Sequence, residues 1–416
     1  MKPEALVQNY KEQLAALRDN ASKEIHYICE TIGPRPCGEA GETKAQEHLM
    51  DVLKPMADVV TRETYKVHPD AFMAFVPVAG SLLIGATGLN FLSAFKEKKA
   101  ASYGALGLIG AALSAVVGEF VLYREYLDPL FPEKESGNVI SIRKPEGEVK
   151  RRIILSGHTD SAPEWVYTYK LGSHGVVIVA AYAILGLLYS TVSSILSRTM
   201  KDKDTVRKLT LGQLAFLPAY ALLYRFSDGK NYVPGGSDDL SGVMVGLSAL
   251  KFLSDNDLRL KNTEVIILHT GGEECGLRGA KAFCKAHPEL LNDGVETVYL
   301  GFDTVRDEDY TMIYKGDMSG VVRNGSKAVA LMKKAAAEAG LDVPVGTIPL
   351  GSTDAAAMSQ AGFEATCFVA MDPAPARYYH TRLDTADNIV PEMIEKGIDL
   401  AIRAIFDFDE NGLPDA

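Results

Sequence analysis

The spacing of apolar positions changes character several times along the chain. In the opening segment MKPEALVQNYKEQLAALRDN, Leu6, Tyr10, Leu14 and Leu17 recur at helical spacing among charges and predict an amphipathic helix. A Gly- and Pro-rich loop, IGPRPCGEAGE, follows. Helical spacing then returns over 43–53, and 59–67 alternates as a strand does. Farther on, short β-branched runs at 139–142, 152–155, 265–268, 298–302 and 366–369 alternate with helical stretches at 243–253, 327–339 and 391–406. This alternation predicts an α/β fold: a mostly parallel mixed sheet flanked by helices, with any active site at the carboxyl ends of the strands.

Two stretches do not follow that pattern. No residue from 71 to 95 or from 100 to 118 is charged, and Lys96, Glu97, Lys98 and Lys99 lie between these runs. Residues 171–197 are again uncharged and 209–224 apolar, separated by a connector carrying Arg198, Lys201, Lys203, Arg207 and Lys208. A bilayer-spanning helix needs about 20 mostly apolar residues. The first and third runs meet that length, whereas Glu119 interrupts the second and the fourth is short, with Gln213 and Pro218. Small residues such as Gly104, Gly107, Gly110 and Ala111 suit close helix contact in lipid. We expect two apolar helical hairpins, inserted at 68–135 and 161–233 into a domain made of 1–67, 136–160 and 234–416. Membrane association through these hairpins is the expectation; the alternative is a soluble lid or buried hairpins.

A chain of 416 residues exceeds one simple core, and 47 % hydrophobic with 23 % charged residues excludes a disordered protein. Lys+Arg of 43 against Asp+Glu of 54 gives a net charge of −11, which argues against a nucleic-acid partner held by phosphate contacts. The five cysteines Cys29, Cys37, Cys275, Cys284 and Cys367 form no CxxC, so neither a disulfide scaffold nor a thiolate zinc site is expected. The opening segment has no apolar core of the secretory kind, so export by that route is not expected; without membrane association the location would be cytoplasmic.

Five segments at strand ends or turns supply metal-type ligands: GHTD (His158, Asp160), GGSDDLSG (Asp238, Asp239), GGEECGLRG (Glu273, Glu274), GFDT (Asp303) and YYHTRLDT (His380). Singly each has an ordinary explanation; Asp before SG, for example, is a good helix N-cap. Adjacent glutamates after an apolar strand are costly unless cations or protons relieve them. Two histidines and four or more carboxylates suit a pair of zinc ions better than one.

With these motifs the chain resembles the dizinc aminopeptidase family of metallopeptidase clan MH, related to bacterial leucyl aminopeptidases and glutamate carboxypeptidase. IGPRP, NVI, GHTDS, DDLSG, EECGLRGA, GFD, STDAAAMSQAGFEA and YHTRLDTADNI carry the likeness in family order. The resemblance implies two Zn2+ ions bridged by Asp238, one completed by His158 and Asp303 and the other by Glu274 and His380. It implies Glu273 as the general base acting on water activated by the metals, and Asp160 as the group that orients His158 through its other ring nitrogen. The implied activity is release of N-terminal residues from a peptide substrate. Alternatives are a carboxypeptidase or dipeptidase of the same fold, or a non-catalytic membrane protein that retains it. Two departures stand out: Ala355 follows Asp354 where many members carry His, and both hairpin inserts are foreign to the pattern. The basic hairpin tips favour the cytoplasm, while the free cysteines and the lack of an export signal argue against a catalytic domain outside it. The side of the membrane and the oligomeric state stay open at this level.

Overall fold

β-branched and aromatic residues set the strands, in chain order β1 (Val59–Val67), β2 (Lys134–Arg143), β3 (Arg151–His158), β4 (Pro163–Trp165), β5 (Ser227–Tyr232), β6 (Thr263–Thr270), β7 (Glu296–Val305), β8 (Thr311–Asp317), β9 (Val322–Arg323), β10 (Val345–Thr347) and β11 (Glu364–Ala370). The helices are α1 (Tyr10–Tyr27), α2 (Ala40–Leu53), α3 (Phe75–Lys96), α4 (Lys99–Ala115), α5 (Val166–Leu171), α6 (Gly175–Thr199), α7 (Lys203–Gly212), α8 (Leu217–Leu222), α9 (Leu240–Asp255), α10 (Arg278–Ala286), α11 (Ser326–Glu338), α12 (Asp354–Ala361) and α13 (Pro391–Asn411). These come from a computed structural model, which describes residues 3–374 and 376–415. The chain divides into two compact units: one holds the residues up to Pro69, Glu133–Pro163 and those from Tyr232 on, the other Asp70–Pro132 and Glu164–Asn231.

The first unit is built on a sheet of order β1-β2-β6-β3-β7-β11-β8-β10, with β9 on β8. Its centre, β6-β3-β7-β11, is parallel, and β1 and β2 run antiparallel at one side. The expected α/β mixed sheet is therefore what the chain forms. Alternation sends Ile153, Leu155, Val265 and Ile267 into a core shared with Leu14, Leu49, Val243 and Ile398, under α1, α2, α9 and α13. Ile154, Ile266 and Leu268 enter a second core with Phe283 and Met358, under α10 and α12. Both faces are covered, which is why these strands read as nearly continuous apolar runs.

β1 and β2 pair in full register, Val59 with Ile142 through Val67 with Lys134, although the second unit's first segment lies between them in sequence. β2 runs antiparallel to β3, and β6 lies between the two. The end of β1, the start of β2 and the end of β3 thus share the sheet edge on which β6 also ends.

In the second unit the small residues Ala79, Ala86, Ala105, Ala112, Ala183 and Ala219 form the core with Leu83, Ile109 and Tyr220. Within it, Asn90 Nδ2 donates to Ser194 Oγ at 2.7 Å and to Gln213 Oε1 at 3.1 Å, and Gln213 Nε2 donates to Ser193 Oγ at 2.8 Å. Three helices are long and apolar enough to cross a membrane among the described residues: Phe72–Lys96, Lys99–Val121 and Gly175–Thr199. The second reaches that length, contrary to expectation, because Glu119 sits in a π turn (Val116–Val121) that continues α4. Its carboxylate accepts from the Leu127 amide at 2.7 Å. The fourth run breaks into α7, a 3-10 turn (Gln213–Phe216) and α8, with Pro218 in the first turn of α8.

Candidate metal centre

The site forms where α9 is driven against the ends of β3 and β7. A Cβ on Gly157 would lie 2.4 Å from the Val243 amide nitrogen, and one on Gly242 would lie 2.1 Å from the Phe302 carbonyl oxygen. Only glycine at both positions lets the helix start reach the strand ends. Asp239 secures the junction: Oδ1 caps α9 by accepting from Gly242 at 2.9 Å and also accepts from the Thr304 amide at 3.2 Å, while Oδ2 accepts from the His158 amide at 3.0 Å. Asp239 therefore spends its lone pairs on backbone and Asp238 is left to face the site.

Asp238 offers one oxygen to each of two imidazoles. Oδ1 lies 3.1 Å from His158 Nε2 and Oδ2 lies 3.0 Å from His380 Nε2. Glu274 Oε1 lies 3.2 Å from the same His380 nitrogen. Donor atoms of His158, Asp238 and Glu274 all fall within 4.8 Å of one another. His158 turns its other nitrogen, Nδ1, toward Asp160, 3.2 Å from its carbonyl oxygen and 3.4 Å from Oδ1. The Asp160 carboxylate has a second task not foreseen from sequence: it accepts from the amides of Glu273 and Glu274 at 3.0 and 3.1 Å, fixing the turn that presents both glutamates. Glu273 Oε2 stands 3.9 Å from His158 Nε2. Asp303, at the end of β7, accepts from the Thr304 hydroxyl at 2.8 Å.

The electrostatics of this cluster call for cations. Burial pushes Asp303 up to about 7, reinforced by Asp238. Burial also drives Glu273 well above the usual carboxylate range, with Asp354 and Glu274 adding to it against the opposing His158. His380 rises to about 10 despite its burial, because Glu274 and Asp238 hold a proton on it. Asp238 sits below its ordinary value: burial pushes it up, but the hydrogen bonds of His158 and His380 outweigh this. Asp238 Oδ2 and Glu274 Oε1, both buried, crowd on the one His380 nitrogen. Imidazole and carboxylate donors, an excess of buried negative charge and these two oxygens fit divalent metal.

Several residues that shape the centre were not assigned a role from sequence. Arg35 of IGPRP is fully buried. It donates from Nε to Thr159 O at 2.7 Å, from Nη1 to Pro234 O at 2.5 Å and from Nη2 to Gly235 O at 2.9 Å, tying the strand end after His158 to the loop before Asp238. Asp384 of RLDT accepts from the amides of Ser237 and Asp238 at 2.8 and 3.0 Å. Glu42 accepts from the amides of Gly38 and Gly272 at 2.7 and 3.2 Å, joining the N-terminal loop to the turn that presents the glutamates. Tyr379 stacks on His380 with ring centroids 4.0 Å apart, whereas Tyr378 donates its hydroxyl to Asp307 at 2.8 Å. Arg35 and Glu42 belong to the segment IGPRPCGEAGE, and Tyr378, Tyr379 and Asp384 to YYHTRLDT, but only their contacts reveal what they hold.

Sheet order and site together define a zinc-exopeptidase-like α/β fold. Residues 221–405 match the model of Peptidase family M28, a segment that contains Asp238, Glu273, Glu274, Asp303 and His380. Among solved structures, the chain is similar to BSAP, a zinc aminopeptidase from Bacillus subtilis, at 14 % identity and a TM-score of 0.56 over 94 % of this chain and 95 % of that one. An aminopeptidase from Aneurinibacillus sp. strain AM-1 gives 15 % identity and a TM-score of 0.56, covering 95 % of both chains. A glutaminyl cyclase from Fimbriiglobus ruber gives 14 % identity and a TM-score of 0.55, over 93 % of this chain and 94 % of that one. No curated protein sequence matches the chain.

Proposed function

We propose that the chain is a two-zinc aminopeptidase anchored in a membrane by its apolar hairpins. The observation that carries the chemistry is the Asp238 carboxylate, whose oxygens address His158 and His380 separately, as a bridge between two ions must. His158 and Asp303 with Asp238, and Glu274 and His380 with Asp238, would hold the pair. Bound there, zinc supplies Lewis-acid polarisation of the peptide carbonyl and acidifies water. Glu273 takes the proton of the attacking water and passes it to the leaving amine, a role that needs its carboxylate off the metals. Its place beside His158, with its amide held by Asp160, supports that role. The anionic residues around the centre would receive the free amino terminus of a peptide, which favours an exopeptidase acting at that end.

Glutaminyl cyclases share the fold, so the assay must separate the two chemistries. The full chain, loaded with zinc, is incubated with a peptide beginning in leucine and with one beginning in glutamine. Release of the N-terminal leucine or glutamine, with the rest of the peptide left shortened at that end, supports the proposal. Ammonia and a pyroglutamyl peptide without any cleavage would replace it with the cyclase, and action only on an N-blocked peptide would replace it with a carboxypeptidase. Glu273→Gln should retain its metal content yet lose turnover by about 10²–10⁴-fold; unchanged turnover refutes its assignment.

A further inference from the structure

The charges of the second unit are sorted to its two ends. α3 runs from the chain's entry at Asp70 outward, α4 returns, α6 runs outward again, and α7 and α8 return. The two outer turns meet: Lys203 Nζ pairs with Glu97 at 2.6 Å, the Arg198 guanidinium lies 3.8 Å over the Tyr103 ring, and that of Arg207 lies 5.8 Å from the Phe95 centroid. This end gathers Lys96, Lys98, Lys99, Arg198, Lys201, Lys203, Arg207 and Lys208 against Glu97, Asp202 and Asp204, a balance of 8 − 3 = +5 in a chain whose total is −11. The end where the chain enters and leaves carries Arg124, Lys170, Arg225 and Lys230 against Asp70, Glu119, Glu125, Asp128, Glu164 and Asp228, or 4 − 6 = −2.

Between the ends the unit presents apolar surface. On α6, Ile178, Ile184, Leu185, Leu188 and Val192 are each more than half exposed. At a rise of about 1.5 Å per residue, α3 and α6 span roughly 33 and 37 Å, enough for a hydrocarbon core of about 30 Å. Lysines stand exposed at the rim beyond this surface, with Tyr103 and Phe95 packed under the two arginines, an arrangement that sets apolar surface in the acyl layer and cations at the phosphates.

We infer that the outer end of the hairpins is a binding surface for anionic phospholipid headgroups, and that it locks the helices to the leaflet rich in such lipids. The inference rests on the membrane reading above and adds to it a lipid class and the residues that select it. Attraction to negatively charged headgroups falls off within a Debye length, so it singles out the end where the lysines lie exposed.

Native mass spectrometry of the full chain in mild detergent tests it, with phosphatidylglycerol and phosphatidylcholine of identical acyl chains added in equal amount. Phosphatidylglycerol adducts should exceed phosphatidylcholine adducts about tenfold. The quadruple variant Lys96→Gln, Lys98→Gln, Lys99→Gln, Lys201→Gln should lose that preference while still taking up phosphatidylcholine. The same four lysines changed to arginine should keep it, which separates loss of charge from loss of fold. Equal uptake of both lipids by the natural chain overturns the headgroup assignment and leaves the membrane reading intact. No lipid uptake at all, with the protein soluble once detergent is removed, overturns both. A lipid-free dimer that the quadruple variant dissociates would make the surface a contact between copies and equally overturn it.

Discussion

His269 shows what a single buried side chain contributes without taking part in chemistry. It lies on β6, fully buried, and neither ring nitrogen has a hydrogen-bond partner. Burial alone lowers its pKa from 6.5 to about 3. The folded state therefore refuses a proton that the unfolded chain accepts, so its contribution is complete above pH 6.5 and is lost as pH falls toward 3. His269→Leu should remove that dependence: in denaturant titrations of chelator-stripped protein, the variant should gain about 2 kcal/mol on the natural chain between pH 7.5 and pH 5. A constant difference across that range would show that the imidazole is solvated. Asp384 holds the candidate metal centre through the amides of Ser237 and Asp238, and Asp384→Asn should weaken zinc binding about 10–100-fold in a competition titration with a chelating dye. An unaltered affinity would mean that the loop holds its shape unaided.

At the scale of elements, the contact of α9 with β3 makes a paired prediction. Gly157→Ala places a methyl group against backbone and should cost about 1–3 kcal/mol, with weaker zinc binding because His158 and Asp238 part. Gly246→Ala, inside the same helix with its nearest neighbour 3.5 Å away, should be neutral or stabilise by about 0.5–1 kcal/mol. Equal effects at the two positions would contradict the close approach. Elements of this kind were legible in sequence where burial on two faces wrote long β-branched runs, as in β3, β6, β7 and β11. β8, with the sequence TMIYKGD, and the three-residue edge strand β10 were not: Lys315, Gly316 and Asp317 cut short the apolar run of β8, and β10 is too short to show a period. The ligand-type residues were legible because carboxylates and histidines at strand ends are conspicuous. Arg35 was not, because its meaning lies in carbonyls more than 120 residues away in sequence.

For the whole molecule, the division into an α/β unit and an apolar helical unit leads to a plain expectation for cell fractions. If the second unit is inserted in lipid, aminopeptidase activity should stay with membranes through an alkaline carbonate wash and leave only with detergent. Activity released by carbonate would make the helices a peripheral or soluble element. The −11 net charge belongs to the chain as a whole, but the apolar unit carries a net positive charge, 12 − 9 = +3, so the α/β unit alone is more acidic than the total suggests.

The unbroken ladder between β1 and β2 bears on how such a protein could arise. Val67 and Lys134 are adjacent across the sheet, as the ends of a tight turn would be, whatever is threaded between them. Closing a loop there costs only about 0.6 kcal/mol more for each doubling of its length, and a segment that folds on itself lowers even that. The sheet is thus nearly indifferent to the size of what it carries at this point. Over evolutionary time the first hairpin could be lengthened, shortened or exchanged without moving a residue of the candidate site, so the inserted helices and the site are free to change separately.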